Sequence, residues 1–562
     1  MKAILVLAIS ASMISALAAA QSGSTETVDI RVDLSKTVAP YTPVYRWFGY
    51  DESNYTTMKY GKQLLEELHD LSPEPVYIRA HHLLTSGNGV AELKWSSSNV
   101  FSLDESGKPV YDFTITDQTF DEYRKAGVRP FVELGFMPKD LAAQVQGISE
   151  YQLHYPEPTM GGASNNPPKD YAMWGELVRK FTEHLVQRYG RDQVKTWYFE
   201  VWNEPDIIYW HGTEAEYLKL YDYAVAGVRA ALPEARVGGP STTGPGSVKA
   251  SAYLDAFLRH CSSEKSAADG KAVPLDFISF HPKGKPETMD GHVRMGLANE
   301  LKAAKAGFEI VAKYPRLRQM PIVLSEADPE GCAACSMKVN PANAYRNGPL
   351  YATYTAAAIK GLFDLQDESH VNLAGMLSWS FEFEGKEYFE GFRTLATNGI
   401  DKPVLNVFRM AGLLAGDRVE ASSTGRVATD EIVNSGVRSA ADVDALATKA
   451  EHQAAVMVWN YHDDDLPAAG APMKVTVAGI PTGVKRVLLQ HYRIDETHSN
   501  SYTVWKGMGS PQTPTDEQYA RLKQAGQLEL LSSPEWLEVR DEKVTIGMDL
   551  PRQATSLLRL SW

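Results

Sequence analysis

The chain has 562 residues, more than one hydrophobic core usually spans, so about two or three domains are expected. With 44% hydrophobic and 22% charged residues, it has the composition of an ordinary globular protein, which excludes a disordered chain. The 70 acidic residues outnumber the 56 basic ones, and the net charge of −14 argues against nucleic acids as partners.

The first twenty residues are typical of a secretory signal peptide. Lys2 is followed by an apolar stretch at 4–9 and by small residues at 16–20, so cleavage is expected close to Gln21. A membrane anchor is the alternative, but the apolar stretch is short, and no later segment offers about 18 continuous apolar residues. We therefore expect a secreted or periplasmic protein without a membrane partner.

From residue 45 to about 415, short β-rich runs alternate with amphipathic helical patterns, which indicates βα units around a parallel sheet. The predicted strands are 47–50, 76–82, 130–136, 197–203, 236–239, 277–281, 322–326 and 373–381. The predicted helices are 60–71, 171–189, 214–231, 252–260, 291–312, 351–363 and 404–414. Eight strands joined by crossovers predict a (β/α)8 TIM barrel of the α/β class.

An open doubly wound sheet is the competing topology for this region. It would usually carry a glycine-rich phosphate-binding turn after its first strand. The sequence at 49–53, Gly-Tyr-Asp-Glu-Ser, has no such motif, so the barrel is favoured.

Beyond residue 416 the pattern changes to short alternating runs, which are typical of an antiparallel β-sandwich. These runs are 454–461, 473–477, 486–494, 544–550 and 556–561, with one helix predicted at 515–525. The early run 28–34 alternates in the same way and is expected to pair with this sheet. The predicted organisation is a signal peptide at 1–20, an N-terminal strand segment at 21–44, a catalytic barrel at 45–415 and a β-sandwich domain at 416–562.

Three cysteines, Cys261, Cys332 and Cys335, are too few for a disulfide framework. A zinc site at the Cys-Ala-Ala-Cys spacing would need two further ligands, and a redox site would need a thioredoxin-like context. Neither is found, so Cys332 and Cys335 form either a local disulfide or two thiols.

Two glutamates end predicted barrel strands. The stretch 197–206, Trp-Tyr-Phe-Glu-Val-Trp-Asn-Glu-Pro-Asp, ends the fourth strand with Asn203 and Glu204, and the seventh strand ends with Glu326. Residues at the carboxyl ends of barrel strands converge over one mouth, where barrel enzymes keep their catalytic residues. Glycoside hydrolysis needs such a pair, because one carboxyl protonates the leaving oxygen while the other attacks the sugar or activates water.

Other polar and aromatic residues end neighbouring strands: Arg79, His81 and His82 on the second, His281 on the sixth and Trp379 on the eighth. Since His81 and His82 face opposite ways on a strand, at most one of them points into the mouth. Glu200 lies one layer deeper than Glu204 on the same face, and we expect it to pair with Arg79 inside the barrel.

No metal ion and no cofactor are expected. The sequence has no His-Glu-x-x-His motif, and the histidines near the mouth do not form an obvious set of three ligands. A serine hydrolase is not indicated either, because the nearest sequence, Gly-Pro-Ser-Thr-Thr at 239–243, is not a Gly-x-Ser-x-Gly motif. A phosphate-binding P-loop motif is likewise missing from the sequence.

The stretch Phe-Glu-Val-Trp-Asn-Glu-Pro-Asp at 199–206, together with Leu-Ser-Glu at 324–326, resembles glycoside hydrolase family 39, a family of retaining TIM-barrel enzymes in clan A. Further stretches that carry the resemblance are 77–82, 276–281, 391–395 and 494–500. Members of this family are mostly β-xylosidases and α-L-iduronidases. The resemblance implies that Glu204 is the general acid/base, Glu326 the nucleophile, and Asn203 the partner of the sugar 2-hydroxyl.

The remaining candidate substrate contacts are His82, His281, Lys283, Trp379 and Arg393. The sequence His-Pro-Lys-Gly at 281–284 departs from the His-Thr-Tyr or His-Ala-Tyr of the xylosidases and is similar to the iduronidase branch. There, residues at the positions of Lys283 and Arg393 hold a substrate carboxylate, which implies an acidic sugar. Alternatively, Lys283 pairs with Glu382 or Glu384 and shapes a pocket for a neutral pentose.

The leading hypothesis is a secreted, exo-acting, retaining glycosidase that removes terminal β-D-xylosyl residues from oligosaccharides. An enzyme that releases a uronic acid or arabinose is the alternative. A barrel that only binds carbohydrate is a second alternative, but a dead site would usually have lost one of the two glutamates, and Glu204 and Glu326 are both present.

Overall fold

The computed structural model describes residues 26–143, 165–379 and 381–562. The predicted signal peptide lies outside the described residues. The strands are β1 (Val28–Pro40), β2 (Trp47–Tyr50), β3 (Tyr77–Ala80), β4 (Phe101–Leu103), β5 (Pro109–Tyr111), β6 (Arg129–Leu134), β7 (Tyr198–Val201), β8 (Arg236–Thr243), β9 (Phe277–His281), β10 (Glu287–Met289), β11 (His292–Arg294), β12 (Pro321–Leu324), β13 (Asn372–Trp379), β14 (Ala396–Thr397), β15 (Ile400–Asp401), β16 (Asp417–Ser423), β17 (Asp442–Ala450), β18 (Gln453–Tyr461), β19 (Ala471–Ala478), β20 (Arg486–Ile494), β21 (Glu529–Leu530), β22 (Glu535–Glu538), β23 (Lys543–Leu550) and β24 (Ala554–Ser561).

The α-helices of the same residues are α1 (Lys59–His69), α2 (Thr114–Ala126), α3 (Tyr171–Tyr189), α4 (Arg191–Val194), α5 (Glu214–Ala231), α6 (Val248–Ser263), α7 (Leu297–Ala312), α8 (Pro349–Ser369), α9 (Pro403–Gly412), α10 (Thr429–Ser435), α11 (Ser501–Gly507) and α12 (Asp516–Ala525). Short 3-10 helices cover Ser53–Thr57 and Pro341–Asn347. None of the described helices is long and apolar enough to cross a membrane.

Eight parallel strands close into a barrel in the order β12-β13-β2-β3-β6-β7-β8-β9. In chain order its strands one to eight are therefore β2, β3, β6, β7, β8, β9, β12 and β13, and each contains part of one of the eight predicted runs. The predicted TIM barrel is confirmed. The carboxyl ends of these strands form one mouth, which is the end where barrel enzymes build their active sites.

Alternate residues of the barrel strands fill its interior in layers. The deepest layer is largely aromatic and contains Trp47, Tyr77, Phe131, Tyr198 and Phe277. Two residues further along three of these strands, Arg79, Glu133 and Glu200 point to the same side, and all three are 0% exposed. The predicted ion pair is confirmed, because Arg79 Nε lies 2.6 Å from Glu200 Oε2. A charged layer thus separates the aromatic base of the barrel from its mouth.

The predicted helix at 291–312 begins later than the apolar pattern suggested. Residues 287–294 instead form the β10–β11 hairpin, and the helix starts at Leu297. Asp290 and Gly291, the two residues of the hairpin turn, have φ angles of 44° and 86°. Asp-Gly is a sequence that favours such a two-residue turn, so local turn chemistry overrode the helical pattern here.

A second sheet of ten strands covers one side of the barrel. Nine of its strands follow the order β21-β20-β24-β18-β17-β16-β1-β19-β23, while β22 pairs with β20. Apolar residues from β1, β16 to β20, β23 and β24 share one core, which makes this part a β-sandwich, as predicted. The N-terminal strand β1 lies between β16 and β19, antiparallel to the first and parallel to the second.

Helix α8 joins the barrel to the sandwich. It packs on β17, β18 and β24, and Thr353 Oγ1 donates a hydrogen bond of 2.8 Å to the carbonyl of Gln553. On the mouth side of the barrel, Cys332 and Cys335 form a disulfide, and Cys261 is a free thiol.

Candidate active site

Two glutamate side chains meet at the mouth of the barrel. Glu204 follows strand β7 and Glu326 follows strand β12. One carboxylate oxygen of each lies within 4.8 Å of the other, and a ring nitrogen of His281 lies within the same distance of both. Strands four and seven of the barrel thus bring the two predicted catalytic carboxyls to one point.

The backbone around Glu204 adopts a conformation that side chains rarely take. Trp202 and Glu204 have φ angles of 72° and 43°, in the left-handed region. Two hydrogen bonds hold this turn: Glu204 N donates to the carbonyl of Ser241 at 2.8 Å, and Trp202 Nε1 donates to the carbonyl of Tyr209 at 2.9 Å. Such strained residues persist only where their surroundings over-determine them, and they concentrate at functional sites.

Glu326 is held by cations on both of its oxygens. Arg79 Nη1 lies 3.0 Å from Oε1, while Lys283 Nζ donates to Oε2. His81 Nε2 adds a third contact, 3.6 Å from Oε1. Burial alone would raise the pKa of Glu326, but the positive charges of Lys283 and Arg79 outweigh it and hold that pKa well below its usual range. Glu326 is therefore a stable carboxylate near neutral pH.

The pKa of Glu204 is shifted in the opposite direction from that of Glu326. Its burial, together with the negative charge of Glu326, raises its pKa to about 7, and the partly compensating cations lie on the Glu326 side. One carboxyl of the pair therefore stays ionised while the other keeps a proton near neutrality. This is the division that a nucleophile and a general acid need.

His281 links Glu204 to two serine hydroxyls. Its Nε2 atom is 3.1 Å from Ser325 Oγ, whose own proton is donated to Glu200 at 2.8 Å, so Ser325 can only accept at Nε2. Ser241 Oγ lies 3.0 Å from the same nitrogen, and because it accepts from Arg79 Nη2, its proton is available to donate there. The other nitrogen, Nδ1, lies 2.9 Å from Glu204 Oε1, so the ring and the carboxyl share one hydrogen bond. Burial agrees with a neutral ring, because it lowers the pKa of His281 to about 3.

Arg79 organises the floor of the site. Besides Glu200 and Glu326, it contacts Glu133 Oε2 at 2.8 Å and donates to Asn203 Oδ1 at 3.1 Å. Because Asn203 accepts through its oxygen, its amide NH2 group is the end that can donate to a ligand. Asn203 is 2% exposed and lies directly before Glu204.

Lys283 and Arg393 belong to one chain of alternating charges. Lys283 Nζ lies 3.6 Å from Asp328 Oδ2, and Arg393 Nη1 lies 2.6 Å from Asp328 Oδ1. Arg393 also pairs with Glu330 at 2.6 Å, and its side chain is 0% exposed. Both cations are thus paired with carboxylates, and Arg393 is buried behind Lys283. The substrate contact predicted for Arg393 stays a prediction.

The alternative in which Lys283 pairs with Glu382 or Glu384 is wrong. Glu382 accepts from the backbone of Gly399, and Glu384 accepts from the backbone of Tyr60. These two glutamates lie on the segment after β13, whereas Asp328 directly follows the β12 strand end that also carries Glu326.

Of the two neighbouring histidines, His81 is the one beside the carboxylates. It directly follows Ala80, the last residue of strand β3, and the His81 ring lies 4.3 Å from that of Trp379, a predicted substrate contact at the end of β13. His82 has a φ angle of 62°, and its ring is 4.6 Å from that of Trp95 and 5.0 Å from that of Phe136. These contacts do not join His82 to either glutamate, so its predicted substrate contact stays a prediction.

Apart from His81, which its place at a strand end singles out, several residues of the site carry no recognisable sequence signal. They are Asp51, Glu133, Ser241, Ser325 and Asp328. All five lie within four residues of the end of a barrel strand, so the strand count identifies the neighbourhood. Which residue faces inward depends on the backbone angles beyond the strand, and the sequence pattern does not predict these angles.

Glu204, His281 and Glu326 are also a set whose ligand atoms could surround a metal ion. Lys283 and Arg79 already neutralise Glu326 at contact distance. A divalent ion there would face Lys283 as a like charge, and Glu204 would first have to lose its proton. The donor set therefore suits acid/base chemistry better than metal binding.

Comparison with known proteins identifies the family of the chain. The family model for glycosyl hydrolases family 39 matches residues 28–530. A β-xylosidase of Caldicellulosiruptor saccharolyticus is 27% identical over 459 residues, which cover 79% of this chain and 82% of that protein. An α-L-iduronidase of Mus musculus is 24% identical over 533 residues, covering 88% of this chain and 75% of that protein.

Solved structures agree on the fold. A monomeric β-xylosidase from Caulobacter crescentus CB15 superposes with a TM-score of 0.73 at 21% identity, covering 95% of this chain and 99% of the other. A bacterial orthologue of human α-L-iduronidase superposes with a TM-score of 0.74 at 20% identity, covering 95% and 84%. Both kinds of relative share this architecture, so the fold alone does not separate their substrates.

Proposed function

The chain belongs to the glycosyl hydrolases of family 39, and from that premise we propose that it is a retaining exo-glycosidase that releases terminal β-D-xylosyl residues from xylo-oligosaccharides. The observation that carries this proposal is the carboxyl pair at the barrel mouth. Glu204 has its pKa raised to about 7, whereas Glu326 is held ionised by Lys283 and Arg79.

Glu326 acts as the nucleophile. Its carboxylate attacks the anomeric carbon, and the bond from that carbon to the leaving oxygen breaks as a glycosyl-enzyme ester forms. The cations on its oxygens keep it ionised, although they also reduce its nucleophilicity in the resting site. Bound sugar has to take over part of the Lys283 contact, because that nitrogen lies directly on Oε2.

Glu204 acts first as the acid and then as the base. Its proton passes to the leaving oxygen, and the carboxylate that results takes a proton from water as water attacks the glycosyl-enzyme. In the resting site Glu204 Oε1 is hydrogen-bonded to Nδ1 of His281, whose ring is itself uncharged.

The spacing of the carboxyls favours retention of anomeric configuration. Retaining glycosidases keep their two carboxyls about 5 to 5.5 Å apart, whereas inverting enzymes need about 6.5 to 9.5 Å to accommodate water. One oxygen of Glu204 lies within 4.8 Å of one oxygen of Glu326, which is nearer to the retaining separation than to the inverting one.

A neutral sugar fits the charges of the pocket. Lys283 is paired with Glu326 and Asp328, and Arg393 is paired with Asp328 and Glu330. A substrate carboxylate would have to compete with these partners for cations that are already paired with a carboxylate charge. A neutral pentose needs no such exchange, which is why β-D-xylose is the proposed sugar.

A uronic acid is the second candidate, and one contact favours it. The side chain of Lys283 is 16% exposed, and it is the partly exposed cation beside Glu326. Relatives named α-L-iduronidase also match over most of the chain. An acidic sugar could therefore draw Lys283 away from Glu326.

A panel of p-nitrophenyl glycosides tests the proposal. We expect release from the β-D-xyloside to exceed release from the arabinoside and the glucuronide, and Glu326→Gln to abolish turnover of all of them. A matched control is Glu309→Gln, an exposed glutamate on α7, which should leave the rates unchanged. Preference for the glucuronide would replace xylose by a uronic acid. Failure of every glycoside would favour a barrel that only binds carbohydrate.

We also propose that the protein is exported and that its signal peptide is removed near Gln21. The sequence pattern of the first twenty residues supports this, and its place outside the cell would match an oligosaccharide substrate. N-terminal sequencing of protein recovered from the periplasm or medium should begin close to Gln21. Recovery of the intact Met1 form from the cytoplasm would contradict export.

A further inference from the structure

Asp51 is a carboxylate at the mouth of the barrel that the roles above do not use. It directly follows β2, the first barrel strand, and its side chain is 23% exposed. The side chains of Glu204 and Glu326 are 11% and 6% exposed. Asp51 is therefore the most accessible of these three acids to a ligand entering the mouth.

Two neighbours hold Asp51 in place. Its Oδ1 atom lies 3.2 Å from His81 Nε2, and the same nitrogen lies 3.6 Å from Glu326 Oε1. The other ring nitrogen of His81 is 2.5 Å from Glu133 Oε2, which fixes the ring from behind. The Trp379 side chain also donates a hydrogen bond to Asp51. Asp51 and the nucleophile thus share one histidine nitrogen.

The order of the strands around the barrel indicates which hydroxyls of a bound sugar would lie near Asp51. In that order β3 and β6 separate β2, which carries Asp51, from β7, which carries Glu204, so the two acids lie on different sides of the mouth. Glu204 faces the leaving oxygen on the anomeric carbon. The hydroxyls at C3 and C4 lie on the opposite side of a pyranose ring, which is the side toward Asp51.

The chemistry of a carboxylate suits these hydroxyls. Its two oxygens offer about four acceptor positions, and only some are used by His81 and Trp379. Neighbouring hydroxyls on a sugar can donate to such a group together, and bonds to a charged acceptor are the stronger ones. A uronic carboxylate placed near Asp51 would instead meet a like charge.

We propose that Asp51 is a substrate-binding residue that accepts hydrogen bonds from the C3 and C4 hydroxyls of the sugar bound over Glu326, and that it selects a neutral sugar. This assignment rests on the proposed glycosidase function and deepens it. His81 and Trp379 position the carboxylate, while Asp51 itself contacts the sugar.

The test compares wild type and Asp51→Asn on p-nitrophenyl β-D-xyloside and on its 3-deoxy and 4-deoxy analogues. The asparagine keeps the size and an acceptor oxygen, so the fold is preserved. We expect kcat/KM on the parent xyloside to fall about 10- to 100-fold. On each deoxy analogue, which lacks one of the two hydroxyls that Asp51 binds, the loss should shrink to about 3- to 10-fold, because one contact is missing from both proteins and the other remains.

The control is Asp192→Asn, whose side chain is 91% exposed on the barrel surface, and which should match wild type on all three substrates. An equal loss with Asp51→Asn on all three would mean that Asp51 acts only through His81 and Glu326, and would overturn the proposal. So would an unchanged rate on the parent xyloside.

Failure of the proposed sugar is recognised separately. If wild type does not hydrolyse the xyloside, xylose is wrong, and the comparison is repeated with the glycoside of the panel that it does hydrolyse and the deoxy analogues of that sugar. The Asp51 assignment is then overturned by a loss that is the same on the parent glycoside and on both deoxy analogues, or by an unchanged rate on the parent. If no glycoside is hydrolysed, both proposals fall together.

Discussion

Glu204 Oε1 lies 2.9 Å from His281 Nδ1, so the acid whose pKa is raised shares a hydrogen bond with a buried neutral histidine. On the far side of the ring, Nε2 meets Ser325, which gives its own proton to Glu200 and can only accept. Nε2 also meets Ser241, which accepts from Arg79 and can donate. These two hydroxyls set which ring nitrogen carries the proton, and so what Glu204 meets at Nδ1. The relationship leads directly to the pH dependence of the reaction.

The pH profile of kcat/KM should be bell-shaped with its alkaline limb near pH 7. The active form has Glu204 protonated and Glu326 ionised, so activity is lost as pH rises through the Glu204 pKa of about 7. On the acid side, activity should persist below pH 4.5, the usual pKa of a glutamate, because that of Glu326 is lowered. Rates measured in one buffer series at constant ionic strength check this, and an alkaline limb above pH 9 would contradict it.

Ser325→Ala should move the alkaline limb to lower pH by up to about one unit. Without this acceptor, the tautomer of His281 with a proton on Nδ1 gains weight, and that proton stabilises the ionised form of Glu204. Ser325→Thr keeps the hydroxyl and should restore the wild-type limb. A variant that loses rate equally at every pH would show that Ser325 only supports the fold.

Lys283→Gln should shift the whole profile toward alkaline pH. Lys283 lowers the pKa of both Glu326 and Glu204, and it is the foremost such cation at each, so its removal raises both values. Lys313→Gln, an exposed lysine at the end of α7, serves as the matched control. If Lys283 instead holds a substrate carboxylate, only glucuronide hydrolysis will fall, and the profile for a neutral glycoside will stay in place.

Glu200→Gln should lower the free energy of unfolding by about 3 kcal/mol. The substitution leaves Arg79 buried with one charge partner fewer, and both side chains are 0% exposed in the wild type. Urea denaturation followed by fluorescence measures the change. Glu234→Gln, which breaks an exposed pair with Arg191, should leave the unfolding midpoint unchanged. An equal effect of both substitutions would contradict the predicted cost of removing a charge partner from buried Arg79.

Strand alternation predicts more of this site than any single motif. Glu200 lies two strand residues after Tyr198, on the same face, and its partner Arg79 lies in the same relation to Tyr77. Within a strand, the two-residue period decides which side chains enter the barrel. The buried ion pair therefore follows from alternation, while the strand count places Glu204 and Glu326 just beyond two strand ends at the same mouth.

Beyond the last strand residue this period no longer applies. His81 follows Ala80, the end of β3, and the backbone then turns left-handed at His82. The two-residue period predicts that His81 and His82 point in opposite directions, but it does not predict which of them contacts the carboxylates. Asp51 follows β2 in the same way, and no motif marks it.

Helix α2 is not among the helices that the sequence pattern predicts. Its buried face contains Thr116, Thr119, Phe120 and Tyr123, so two of these four side chains are threonines. A search for apolar residues at helical spacing passes over such a face.

The partner of Lys283 could not be predicted from the sequence either. Asp328, Glu382 and Glu384 are all acidic, and only the folded chain brings one of them close to Lys283.

Trapping the glycosyl-enzyme tests the central claim most directly. The protein is incubated with a 2-deoxy-2-fluoro-β-D-xyloside that carries a good leaving group, then digested and analysed by mass spectrometry. The assignment of Glu326 as nucleophile predicts one fluoroxylosyl unit on the peptide that contains Glu326, and none in Glu326→Gln. A label on any other residue, or turnover of ordinary xyloside to the inverted anomer without a covalent intermediate, would contradict it.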